Sequence, residues 1–157
     1  MPTDLDYLER CVELATEALD AGDEPFGSVL VGADGTILAE DRNRVSGGDQ
    51  TLHPEFELAR WAAENLSPAD RATATVYTSG EHCPMCSAAH AWVGLGPIVY
   101  AASTNQLTTW LAEFGVPGGP VNPLPIRQVA PNIPVTGPFP ELTDRIHALH
   151  RRLHLGV

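Results

Sequence analysis

Apolar positions recur along this chain at two periods, one helical and one strand-like, and their alternation predicts the elements. Leu8, Cys11, Val12, Ala15, Ala18 and Leu19 repeat at helical spacing. Thr3 ahead of Asp4 and Asp6 reads as that helix's start, a capping hydroxyl followed by acids, and Gly22 reads as its end. Phe26 to Val31 is a short apolar run with β-branched content. Gly32-Ala33-Asp34-Gly35 separates it from Thr36-Ile37-Leu38-Ala39, and an Asp-Gly turn between two such runs predicts a hairpin. Glu40 to Thr51 is polar, carries Gly47-Gly48 and reads as a loop. Pro54 to Asn65 returns to the helical period through Phe56, Ala59, Arg60 and Ala63, and Ser67-Pro68 closes it.

Thr73 to Thr78 reads as a β-branched strand, and Pro84 to Val93 as a helix of small residues stopped by Gly94 and Gly96-Pro97. Ile98 to Ala101 is the next strand. A strand, helix and strand at this spacing form a βαβ unit with parallel strands. Together with the antiparallel hairpin this predicts an α/β fold around a mixed sheet, with helices on both faces making three layers. Leu107 to Phe114 reads as a short helix. Gly115 to Pro140 carries too many prolines for a central strand. It reads either as a linker or, given Val121, Leu124, Ile126, Val129, Ile133, Val135 and Phe139, as an ordered loop over the site or a neighbouring subunit. Leu142, Ile146, Leu149 and Leu153 then make a helical stripe to the end.

The 157 residues suit one domain, with a core in residues 1–115 and a proline-rich loop and helix in 116–157. The formal charge of −11, from 9 basic and 20 acidic residues, repels phosphate backbones and argues against nucleic-acid partners. The one dense basic run, His147 to His154 with Arg151-Arg152, reads as a solvated helix face. Three cysteines are no disulfide framework and fit a reduced compartment; Cys11, in an apolar pattern, reads as a buried small hydrophobe. No apolar run is long enough for a membrane span. The acidic start lacks the look of a signal peptide, so the cytoplasm is the expected location.

The chemistry concentrates in His53-Pro54-Glu55 and in Thr78-Ser79-Gly80-Glu81-His82-Cys83-Pro84-Met85-Cys86. Cys83 and Cys86, three apart at a helix start, place two sulfurs on one face. In mid-helix His53 and Glu55 would point about 200° apart. They converge only if the helix begins there, and Pro54 favours that start as Pro84 does for the Cys83 helix. Two helix N-termini then aim partial positive charge at the sulfurs, favouring thiolate. One imidazole and two thiolates, with an open fourth position, suit a catalytic zinc, which lowers the pKa of its water to about 7. Glu55 is left over as the proton carrier. The competing readings are a redox pair or a structural zinc site with His82 as fourth ligand, although neighbours such as His82 and Cys83 rarely both reach one ion.

His53-x-Glu55 with Cys83-x-x-Cys86 resembles the cytidine/deoxycytidylate deaminase superfamily, whose signature is H-x-E…P-C-x-x-C. Pro25-Phe26-Gly27-Ser28-Val29-Leu30-Val31, Asn43 and Cys83-Pro84-Met85-Cys86 are similar to its guanine, cytosine and tRNA-adenosine deaminase branch. The resemblance covers roughly residues 1–115. It implies a three-layer αβα sandwich around a five-stranded mixed sheet, one Zn2+ per chain and a homodimer. It also implies His53, Cys83 and Cys86 as ligands, Glu55 as proton shuttle and Asn43 as a substrate contact. Pro54 stands where the family usually has Ala, and His82 where it usually has Pro. His82 is then either a titratable donor at the pocket rim or a solvent-facing turn residue. Glu81 either accepts from an amino group on the base or caps the Cys83 helix. Trp92, Trp110 and Phe114 are pocket-wall candidates, and Glu113 a weaker substrate contact. The expected substrate is a small heterocyclic base, guanine- or cytosine-like. The alternatives are a tRNA adenosine, which needs basic residues flanking the pocket, and a non-catalytic zinc-stabilised binding module.

Overall fold

The computed structural model describes residues 1–157. Five strands form one sheet in the order β2-β1-β3-β4-β5. They are β1 (Gly27–Val31), β2 (Ile37–Arg42), β3 (Thr75–Gly80), β4 (Ile98–Ala102) and β5 (Val135–Thr136). β1 pairs antiparallel with β2 and with β3, whereas β3–β4 and β4–β5 are parallel. The hairpin and the βαβ unit both form as the sequence predicts. The strand ends differ by a few residues, and β2 runs on to Arg42, into the stretch read as loop.

Alternation along the strands divides the core. Val29, Val31, Tyr77 and Val99 face α1 (Asp4–Asp20) and α7 (Pro140–Leu155). Leu30 and Val76 face the opposite layer, α2 (Pro54–Asn65) and α4 (Pro84–Trp92). With both faces covered, every residue of β1 is buried, as a doubly covered strand requires. Thr3 caps α1 in a reciprocal box with Asp6, and Cys11 is buried as expected. Gly27 is obligatory for a different reason: a Cβ there would sit 2.5 Å from the Cys11 carbonyl oxygen and from Leu14 Cβ. The sheet can approach α1 that closely only without a side chain.

Ser67 does not merely close α2; its hydroxyl accepts from the Asp70 amide and starts a further turn, α3 (Pro68–Ala72). α5 (Thr104–Glu113) begins three residues earlier than its apolar pattern, because Ser103 and Gln106 form a capping box. The proline-rich stretch is ordered. It contains α6 (Ile126–Val129) and contributes β5, a two-residue edge strand where prolines are tolerated. Ile126, Ala130 and Ile133 bury themselves against Ile98. No helix is long and apolar enough to cross a membrane.

Candidate active site

The site lies where α2 and α4 begin. His53 and Cys83 occupy the N-cap positions of the two helices, in extended conformation (φ −89°, ψ 140° and φ −69°, ψ 169°), with Pro54 and Pro84 following. An N-cap is usually Ser, Thr, Asp or Asn, whose oxygen serves the helix. Here neither side chain makes a capping bond, so both are free for another partner. His53 Nδ1 lies 3.5 Å from Cys83 Sγ and 3.5 Å from Cys86 Sγ, and the three donor atoms all fall within 4.8 Å of one another. Zinc bonds of ~2.05 Å to nitrogen and ~2.3 Å to sulfur at the tetrahedral angle put N and S about 3.6 Å apart. The donor set therefore fits that ion in spacing and in chemistry. These are the only three His, Cys, Asp or Glu side chains so grouped.

Protons are shared among the donors. Hydrogen bonds from Cys86 and then His53 pull the Cys83 thiol down to about 4. The same contact with Cys83 pushes His53 up to about 9, while Cys86, bonded to Cys83 and buried, is pushed up strongly. The Cys86 thiol and the His53 imidazolium thus hold protons that a divalent cation would displace, while Cys83 is already a thiolate. Glu55 stands in the first turn of α2, 5% exposed, and its Oε1 accepts from Ser28 Oγ at 3.1 Å. Burial raises its carboxyl to about 7.

Asn43 is 1% exposed, and its Oδ1 accepts from the Glu24 and Val45 amides at 3.3 and 3.1 Å. Two backbone donors fix which end of the amide is oxygen, so Nδ2 faces the other way, with no partner in the chain. The loop holding it is braced by Asp23, which accepts from Arg42 Nη1 (2.9 Å) and from the Ser46 amide (2.9 Å). Glu81 caps neither end of α4. Its two oxygens accept from the Thr104 amide (2.9 Å) and the Ile126 amide (2.8 Å), tying the starts of α5 and α6 to the end of β3.

Three expectations need correction. His82 is neither at a rim nor in solvent: it is 0% exposed, edge-on to His90 at 5.4 Å, with both ring nitrogens unpartnered. It also stands outside the donor group, so no fourth protein ligand comes from it. Trp92 walls no buried pocket; it is 89% exposed beside an apolar groove of about 550 Å³ between α4 and the segment after α6. The basic terminal run is not all solvated, because His150 is buried against Phe26 and Trp110. Glu113 lies at the surface, 3.9 Å from His147 Nε2. Sequence reasoning missed Ser28 and Thr78, buried hydroxyls beside Glu55; the signal was two polar residues inside strand runs that are otherwise apolar or outward-facing.

A sheet between two helical layers that presents an imidazole, two thiols and a buried carboxyl at paired helix starts carries the donor set of the zinc-dependent hydrolases. The family described as the cytidine and deoxycytidylate deaminase zinc-binding region matches residues 1–102, and the chain belongs to it. It is 31% identical over 140 residues to a probable cytosine deaminase of Schizosaccharomyces pombe, covering 88% of this chain and 85% of that one. It is 41% identical over 98 residues to a guanine deaminase of Bacillus subtilis, covering 61% and 62%. A solved structure in complex with 2,6-diaminopurine superposes with a TM-score of 0.73 at 25% identity, covering 99% of this chain and 83% of that one. The protein is accordingly a deaminase, an enzyme that hydrolyses C–N bonds.

Proposed function

We propose that the enzyme deaminates a small amino-substituted heterocycle, a free nucleobase of the guanine or cytosine kind. The observation that carries the reading is Glu55, a carboxyl buried beside the three metal donors and not itself one of them. His53, Cys83 and Cys86 would hold one zinc per chain, and the bound ion would bring the pKa of a water from 15.7 to about 7. Glu55 takes a proton from the attacking water and gives it to the adjacent ring nitrogen, then takes the second proton from the newly added hydroxyl and gives it to the departing amine. A carboxyl raised to about 7 suits both directions of transfer near neutrality. Asn43 donates from Nδ2 to a carbonyl of the base. Glu81 holds the wall together and does not contact the base, since both oxygens already serve backbone amides.

Charge supports a small neutral substrate over a nucleic acid. Arg10, Arg42, Arg44, Arg145 and Arg152 are each paired with a carboxylate, which leaves little free basic surface in a chain of net charge −11. We place the enzyme in the cytoplasm as a homodimer, a state that would cover the exposed Trp92. The test is ammonia release from guanine, cytosine, adenine, their nucleosides, triazine analogues and a tRNA carrying the target adenosine. Turnover of a free base supports the reading; turnover of the tRNA alone overturns it.

A further inference from the structure

Ser28 and Thr78 sit opposite each other in the β1–β3 register, both fully buried. Ser28 Oγ lies 3.1 Å from Glu55 Oε1 and 2.8 Å from Thr78 Oγ1, and Thr78 Oγ1 lies 3.0 Å from the Gly80 carbonyl oxygen. Four oxygens thus stand in a row with three links between them. Each hydroxyl owns one proton and can donate only once. When Glu55 is ionised, Ser28 donates to the carboxylate and Thr78 donates to Ser28, leaving the Gly80 link open. The proton that Glu55 takes up in the reaction has to sit on its second oxygen, turned to the site, so Oε1 accepts from Ser28 in both states of the carboxyl.

We propose that Ser28 and Thr78 are positioning residues for Glu55: Thr78 steadies Ser28, and Ser28 donates to Oε1 whether the carboxyl is ionised or loaded, which keeps the second oxygen turned to the site. No proton passes along the row, and the proton Glu55 receives stays on that second oxygen for the ring nitrogen. The pairing matters because a buried polar group without a partner costs more than the bond itself contributes. An apolar residue at 28 would leave the ionised and the loaded carboxyl both without a partner on that side, free to turn from the metal donors. The proposal rests on Glu55 being the proton carrier.

The test compares Ser28→Ala, Thr78→Val and the double variant with wild type for kcat, KM, zinc per chain and the position of the Glu55 carboxyl in crystals. Ser28→Ala is expected to lower kcat roughly ten- to a hundredfold, the size of one bond to a charged group, with KM and zinc content unchanged. Thr78→Val lowers kcat less and adds nothing in the Ser28→Ala background, because it acts only through Ser28. Unchanged kcat in Ser28→Ala, or losses that multiply in the double variant, overturns the proposal. If wild type releases ammonia from no heterocycle, the functional reading fails instead. The pair is then judged by the crystals alone, where a Glu55 carboxyl unmoved in Ser28→Ala refutes it.

Discussion

Residues 1–102 and 103–157 are held in place by different means. In the first region the hairpin, the βαβ unit and α2 bury continuous apolar faces, and the donors His53, Cys83 and Cys86 come from the first turns of two packed helices. In the second, the stretch between α5 and α7 buries only a small apolar cluster, Ile126, Ala130 and Ile133 against Ile98, and is otherwise held by single bonds. Glu81 grips the Thr104 and Ile126 amides, Pro134 accepts from the Ile98 amide, and Phe139 donates to the Ala101 carbonyl. The difference separates two jobs. Chemistry needs atoms fixed to fractions of an ångström, which packed helix starts provide. Under the proposed function the second region would wall the base's site, where change need not disturb the metal donors.

The comparison breaks if damage to the first region spares the metal. His53→Ala and Cys83→Ala should each lose zinc by metal analysis and reduce ammonia release to background, the largest effects expected. A retained ion in either variant would mean other ligands hold it. Acid reaches both regions, through His90 in the first and His150 in the second. Burial holds each at about 4, well below the usual histidine value, so each stabilises the fold above about 6.5 and loses that contribution as pH falls towards 4. Between pH 7 and 4.5 each should cost about 2 to 3 kcal/mol in urea unfolding. His150→Gln should remove its own share and leave the share of His90.

Smaller effects sharpen the contrast. Glu81→Ala leaves two backbone amides without their carboxylate and should cost about 3 kcal/mol. Hydrogen exchange should rise in α5, α6 and the stretch between them while zinc stays bound. Loss of zinc would show the two regions to be one unit. His82→Phe replaces a buried ring with two unpartnered nitrogens by one of similar shape. Unfolding should become harder by about 1 kcal/mol with zinc content unchanged.

Sequence legibility follows the same division. The helix-start geometry of His53-Pro54-Glu55, the Cys83-x-x-Cys86 spacing and the hairpin are local patterns, set by neighbours a few residues away. Whether His82 faces in or out, or whether Trp92 finds cover, depends on what packs against α4 from residues 30 to 50 positions distant. The edge strand β5 is two residues long and flanked by prolines, too short for any period to register. Ser28 and Thr78 gain meaning only through pairing across β1 and β3, a contact of fifty residues' separation.

In the proposed mechanism a metal held by three donors and a separate carboxyl divide the work of breaking a C–N bond. Glu55→Gln separates the two, with zinc per chain and ammonia release measured on the same preparation. One zinc per chain with turnover reduced about a hundredfold or more is the predicted result. Turnover equal to wild type with zinc in place would contradict it.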